Sequence, residues 1–324
     1  MTLAFGCALA AVMSAGTVAW LLHPARRGLA LDRPNDRSLH STPIPRVGGL
    51  GIMAGSLPAL WWAGLPWVIA LSAGALSALS FVDDRRGLPV GIRFGVHFAA
   101  AVVLLGWLSA VPWWGLPVLA VAVVWMTNLY NFMDGSDGLA GGMAVFGFGA
   151  CAAGAAMAGD DALVAGAAGV AAASAGFLVF NFPPARVFMG DSGSIPLGFL
   201  AAALGLVGWS RGDWPLWFPV VVFGPFVADA TVTLARRVVR GERIWQAHRT
   251  HYYQRLVQLG LGHRRTALLE YALMALSAGA AVWSLQATEE GQGLVLTGLG
   301  VVYCMIAWQV DRRWAAFVVK QVVP

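Results

Sequence analysis

Charged residues are scarce in this chain: Asp, Glu, Lys and Arg make up 11% of its 324 residues, against 58% apolar ones. So little polar surface cannot cover a water-soluble globule of this length, which excludes the soluble enzyme classes. Cysteine is equally sparse. Cys7, Cys151 and Cys304 each fall inside an apolar run, where an unpaired thiol behaves as a small hydrophobe, so neither a disulfide framework nor a zinc site is expected. The alternating pattern of a membrane β-barrel is missing, as are internal repeats and low-complexity tracts.

What the chain has instead is hydrocarbon. Its mean hydropathy is +0.69, and its apolar runs have the length needed to cross roughly 30 Å of lipid as helix. The expected fold is all-α, a polytopic integral-membrane helix bundle forming a single domain over 1–324. About eleven spans are expected, at 2–22, 48–63, 66–82, 94–111, 115–130, 139–158, 161–180, 195–210, 215–234, 266–286 and 292–310. The first has neither a basic leader nor a small-residue cleavage site, so it reads as a retained helix.

Orientation follows from the basic residues. The connections at 23–47, 83–93, 131–138, 181–194 and 235–265, with the tail after 310, hold every Lys and Arg except Arg211. Those segments are expected in the cytosol, with the N-terminus outside and the C-terminus inside. The opposite connections are short and carry a few acids such as Asp160, Asp161 and Asp213.

The cytosolic segments contain five polar features. Asp83 and Asp84 in FVDDRRGLP end the third span, either as a plain helix terminus partnered by Arg85 and Arg86 or as a paired-carboxylate site for a metal or a general base. NLYNFMDGSDGLAGG places Asn128, Asn131, Asp134 and Asp137 in a stretch with no Lys or Arg. Acids without a local counter-ion beside hydrocarbon mark a functional site. In NFPPARVFMGDSGS, Asp191 precedes a span, as an N-cap or as part of a helix terminus that holds an anion. HRTHYYQRL sets His248 and His251 three apart, on one face if helical. They suit a metal pair, an anionic ligand shared with Arg243, Arg249 and Arg255, or a basic helix resting on headgroups. DRPNDRSLHSTPIPRVGG, with Arg37, His40 and Arg46, is a stiff basic loop. Carboxylates from three segments and cations from two others suit Mg²⁺ and phosphoryl chemistry at a membrane surface.

The strings PRVGG, FVDDRRGL, NLYNFMDGSDGLAGG, NFPPARVFMGDSGS and HRTHYYQRL, in this order from about residue 32 to 265, resemble the polyprenyl-phosphate N-acetylhexosamine-1-phosphate transferases. The resemblance implies transfer of a sugar-1-phosphate from a UDP-N-acetylhexosamine to undecaprenyl phosphate, releasing UMP. It implies Mg²⁺, with Mn²⁺ as a substitute, held by Asp191. Asp83, with Asp84 beside it, matches the position that activates the lipid phosphate. Asp134 and Asp137 match positions framing nucleotide and metal, and His248 and His251 the histidine motif. Substrate contacts are expected from Asn128, Asn131, Phe188, Asn181, His40, Arg46 and Arg249.

Ser38 stands where many relatives have Lys, and His-Arg-Thr-His where the peptidoglycan translocases have consecutive histidines. The Arg-Ser-x-His form looks most like enzymes that start O-antigen or other surface polysaccharides, some using 6-deoxy sugars. The family implies a bacterial inner-membrane location and no nucleic-acid partner; a homodimer is compatible with it. The peptidoglycan-type transferase is the alternative within the family. A transporter is the alternative outside it, although transporters place their ionisable groups near the midplane and in repeats.

Overall fold

The computed structural model describes residues 2–26, 30–32, 43–108, 112–243 and 248–322. His40, with Arg37 and Ser38, lies outside the described residues. The first helix, α1 (Leu3–Leu21), leads to a short antiparallel pairing of β1 (Leu31–Asp32) with β2 (Ile44–Pro45). Helices α2 (Gly48–Trp62), α3 (Trp67–Arg86), α4 (Val90–Trp107) and α5 (Leu116–Phe132) follow, then α6 (Leu139–Ala158), α7 (Asp161–Asn181) and α8 (Asp191–Arg211). Two shorter helices, α9 (Trp217–Val222) and α10 (Gly224–Val239), precede α11 (Tyr252–Leu256). A wide π-helical turn then leads into α12 (Gly262–Ser284) and α13 (Glu289–Val322).

Eight helical stretches are long and apolar enough to cross a membrane by length and composition. Their outward residues are apolar too: Leu71, Val102, Val179, Leu294, Met305 and Trp308 are exposed. Contiguous surface of this kind is stable only against lipid. The protein is thus a polytopic helical membrane protein.

Helix α8 forms the centre, packed against α2, α3, α5, α6, α7 and α9, and nearly all of it is buried. Glycine permits this crowding. A Cβ on Gly198 would lie 2.7 Å from the Met126 carbonyl oxygen on α5, and one on Gly49 would lie 2.2 Å from the amide nitrogen of Gly193. Close backbone approach of this kind is how helices associate where water gives no hydrophobic drive.

Three sequence expectations change. The ninth expected span, 215–234, is two helices, because the chain breaks at Phe223 and resumes with Pro225, whose missing N–H cannot continue the ladder. The expected loops at 83–93 and 131–138 are shorter than hydropathy suggests. Backbone hydrogen bonding carries α3 on to Arg86 and α5 on to Phe132, so Asp83, Asp84 and Asn131 stand on last helical turns. The histidine motif is not a helix through both histidines. His248 precedes α11, and His251 occupies its cap with extended backbone (φ −59°, ψ 152°).

Candidate active site

The N-terminus of α8 is the point on which the motifs converge, and backbone pairing builds it. Phe188 N–H donates to the Pro45 carbonyl at 2.8 Å, while Gly48 and Gly49 N–H donate to the Phe188 and Met189 carbonyls, both at 2.9 Å. The PRVGG and VFMGDSGS strings are therefore two sides of one ladder. Gly190 adopts φ 69°, a left-handed conformation that favours glycine, and turns the chain into α8 with Asp191 as its first residue.

Asp191 is not an N-cap by its side chain. Its carboxylate takes a hydrogen bond from the Asn131 amide, and the Asn131 carbonyl oxygen accepts from Ser194 Oγ at 2.9 Å. The free N–H groups at this terminus are claimed by the protein's own acids. Asp84 accepts from Ser192 N–H and Asp134 from Gly190 N–H. A helix start favours negative charge, which is why three acids gather there. Ser77 Oγ ties α3 to the same turn by donating to the Ser192 carbonyl at 2.7 Å.

The missing counter-ion of NLYNFMDGSDG is supplied from a distance. Arg46 acts on Asp84, Asp134 and Asp191 together, while its guanidinium bridges to Asp32 at 2.8 Å. Arg93 adds its charge at Asp191, yet these two guanidiniums, each already paired with another aspartate, do not balance three carboxylates. Desolvation first, then the charge of Asp191, pushes Asp134 well above the usual carboxylate range.

Asp83 pairs with Arg93 of α4 at 3.1 Å and not with its neighbours Arg85 and Arg86, both exposed. Asp137 faces away from this cluster. It accepts from Ala185 N–H at 2.9 Å and stands 3.7 Å from His263, which also contacts Ser136 Oγ at 2.9 Å. Asn181 bridges backbone to backbone, accepting from Gly138 N–H and donating to the Val187 carbonyl, which clasps the aspartate loop to the end of α7.

On the opposite wall, His251 Nδ1 lies 3.2 Å from Asp229 Oδ1, with both side chains buried. Asp229 also accepts from the N–H groups of Tyr252 and Tyr253, each at 3.0 Å. The His248 and His251 rings lie 4.8 Å apart between centroids, and Phe132 stacks over His251. Burial, then the neighbouring His251, lowers His248 to about 4, so it is a neutral ring at pH 7.

Between these walls lies a cleft of about 360 Å³. Asp83, Arg93, His97, Asn128, Asn131, Asp191, His248 and His251 line its polar part; Leu79, Val90, Phe94, Ile195 and Leu234 line the apolar part. The structure thus brings together Asp83, Asn128, Asn131, Asp191, His248 and His251, with Asp84, Asp134 and Arg46 packed around the Asp191 turn. Asp137, Asn181 and Phe188 are outside the cleft's lining and belong to the elements that support it. Arg249 is exposed and offers its carbonyl to Gln258.

Arg93 and His97 were missed by motif reading, although their spacing of four on one helix places them on a common face. Asp229 lies inside the apolar run at 215–234 and belongs to none of the five motifs. His263 gave no sequence signal.

Among the described residues no three His, Cys, Asp or Glu side chains form a ready metal cage. The donor set nevertheless fits a hard divalent cation. Asp84 Oδ2 is buried without a hydrogen-bond partner beside Asp191, and Mg²⁺ is commonly held by one or two carboxylates with waters and substrate phosphates completing its shell.

Comparison with known proteins agrees with this assembly. The sequence pattern of glycosyl transferase family 4 matches residues 66–208, from α3 through most of α8. A probable undecaprenyl-phosphate N-acetylglucosaminyl 1-phosphate transferase of Bacillus subtilis is 29% identical over 75% of this chain and 74% of its own length. A decaprenyl-phosphate N-acetylglucosaminephosphotransferase of Mycobacterium tuberculosis is 29% identical over 84% of this chain and 80% of its own. A phospho-N-acetylmuramoyl-pentapeptide-transferase of Synechococcus elongatus is 31% identical over 71% of this chain and 70% of its own. With the five motifs gathered around one cleft and relatives matched along most of their length, the chain belongs to glycosyl transferase family 4, the polyprenyl-phosphate hexosamine-1-phosphate transferases.

Proposed function

We propose that the protein transfers an N-acetylhexosamine-1-phosphate from a UDP-sugar to undecaprenyl phosphate, giving a lipid-linked diphosphate sugar and UMP. The observation that carries this reading is the convergence of Asp84, Asp134 and Asp191 on the α8 N-terminus, beside a cleft lined by Arg93, His97, His248 and His251. N-acetylglucosamine is the first sugar to test, since the bacillary and mycobacterial relatives carry it in their names. A role in starting O-antigen or another cell-surface polysaccharide, at the cytosolic face of a bacterial inner membrane, rests on the sequence motifs and the distribution of basic residues.

The residues divide the work physically. Asp191 and Asp84 would hold Mg²⁺, which when bound offsets the charge of the pyrophosphate and of the departing nucleotide phosphate. Asn131 orients Asp191 by donating to its carboxylate while its own oxygen is fixed by Ser194. Arg93, anchored by Asp83, brings positive charge to the cleft where two anionic substrates must meet. His251, oriented by Asp229, and the neutral His248 present ring nitrogens to the other wall, suited to hydrogen bonding with sugar or phosphate oxygens. A lipid phosphate is already ionised at neutral pH, so in-line positioning by these groups does more than proton removal.

A second reading within the family is the pentapeptide-bearing donor of peptidoglycan synthesis, favoured by the Synechococcus relative. One experiment separates the two. Purified protein is incubated with undecaprenyl phosphate, Mg²⁺ and either a panel of UDP-N-acetylhexosamines, including 6-deoxy sugars, or UDP-N-acetylmuramoyl-pentapeptide, and UMP release is followed with and without EDTA. Lipid-dependent, EDTA-sensitive UMP from a simple hexosamine supports the proposal. UMP from the pentapeptide donor alone replaces it with the second reading.

A further inference from the structure

His97 sits on α4 one helical turn beyond Arg93, about 6 Å further along the axis, and lines the cleft. Its side chain is nearly enclosed, at 5% exposure. Its Nδ1 lies 3.3 Å from the amide nitrogen of Asn128. That same nitrogen donates to the Val124 carbonyl at 2.7 Å, an oxygen that can only accept. The Asn128 amide is thereby fixed with its NH₂ toward the ring, so Nδ1 is the acceptor and the imidazole proton stays on Nε2. Nε2 has no partner among the described residues, yet it is not sealed off by protein. A buried ring with one nitrogen locked and the other left as an N–H donor at the cleft is an incomplete hydrogen-bonding site.

The surroundings indicate what completes it. Leu79, Val90, Phe94 and Ile195 form the cleft wall near this face of α4. Phe94 and Phe98, on either side of His97 in the same helix, are exposed at 40% and 41%. The helix itself has the length and hydropathy of a membrane span. An acceptor reaching Nε2 therefore approaches along apolar surface, with Arg93 one turn away to share its charge. A phosphate carried on an apolar chain meets these conditions, whereas a nucleotide sugar has no apolar tail to place against the phenylalanines.

We infer that His97 Nε2–H, held in that tautomer by Asn128, binds an oxyanion of the polyprenyl phosphate and, with Arg93, defines the acceptor-lipid headgroup site. This rests on the transferase reading above. It gives Asn128 the role of orienting the ring in place of the direct substrate contact expected from its motif.

The test is direct binding of undecaprenyl phosphate, and separately of UDP-N-acetylglucosamine, to the purified full-length protein in lipid nanodiscs, alongside UMP release by the wild type. His97→Phe keeps the ring volume and removes the donor; lipid phosphate affinity is expected to fall roughly tenfold to a hundredfold, the scale of a hydrogen bond to a charged group. His97→Gln places an amide nitrogen near the Nε2 position and is expected to stay within about threefold of wild type on the same scale. His97→Asn, too short to reach that position, gives the same readout as the aromatic variant should the latter fail to fold. Nucleotide-sugar affinity is expected to be unchanged in all three. Equal lipid binding by wild type and the donor-less variants overturns the inference while leaving the transferase reading intact, as does a loss confined to the nucleotide sugar. A wild type that binds neither substrate and releases no UMP overturns both.

Discussion

Asp229 on α10 and His251 at the cap of α11 form a buried pair, Oδ1 to Nδ1 at 3.2 Å, and the same carboxylate receives the N–H groups of Tyr252 and Tyr253. One acid within the membrane bundle thus fixes both the entry of α11 and the ring that faces the cleft. Removing it strands two amides and a histidine. Asp229→Ala is expected to lower stability by roughly 3 kcal/mol, the sum of such buried unsatisfied groups, and to reduce turnover further than the loss of folded protein explains. Thermal unfolding in detergent and rate per folded molecule check this together; an unchanged melting curve would show that the carboxylate does not anchor the motif.

Asp191 offers a contrast, because its carboxylate meets the charges of Arg46 and Arg93 and the Asn131 side chain, and anchors no backbone amides as Asp229 does. Asp191→Asn is expected to cut UMP release at least about a hundredfold, as an amide holds a hard cation poorly, while the melting temperature stays close to that of wild type. Raising Mg²⁺ should recover little of the rate. Wild-type turnover in this variant would sink the metal assignment.

The crossing of Gly49 with Gly193 makes a prediction that no substrate is needed to test. A Cβ on Gly49 would sit 2.2 Å from backbone, whereas one on Gly16 in α1 meets nothing within 4 Å. Gly49→Ala is expected to destabilise by about 1–3 kcal/mol or more through overpacking and to displace Asp191, and Gly16→Ala to be neutral. Equal melting temperatures for the two would refute the close approach of α2 to α8.

His248, lowered to about 4 by burial and by His251, binds its proton less readily in the folded protein than in the unfolded chain. The unfolded state therefore takes up more protons between about pH 6.5 and 4, and stability falls as pH drops through that window. His248→Asn is expected to flatten this part of the melting temperature's pH dependence and to leave it unchanged above pH 7. A wild type whose melting temperature is level from pH 7 to 4.5 would contradict the neutral assignment.

Some of this was decided by the chain alone. The hydrocarbon runs determined a helical membrane bundle, because lipid leaves the backbone no other way to satisfy its hydrogen bonds. The motifs singled out Asp83, Asp191, Asn131, His248 and His251, all of which line the cleft. Acids and histidines in a chain so poor in charge are conspicuous, since each must be solvated by something. Tertiary structure decided which groups meet. It set Arg93, not the adjacent Arg85 or Arg86, against Asp83, and it turned Asp137 and Asn181 toward the support of the aspartate loop. It also brought Asp229 and His97 to the site from positions that carry no motif, and broke an apolar run at Pro225 to do so for Asp229. Hydropathy and spacing register how a residue stands to lipid and to its own helix. Pairing across helices depends on packing at α8, where glycines let backbones from distant parts of the chain approach to within van der Waals contact, and that distance is set only when the bundle is assembled.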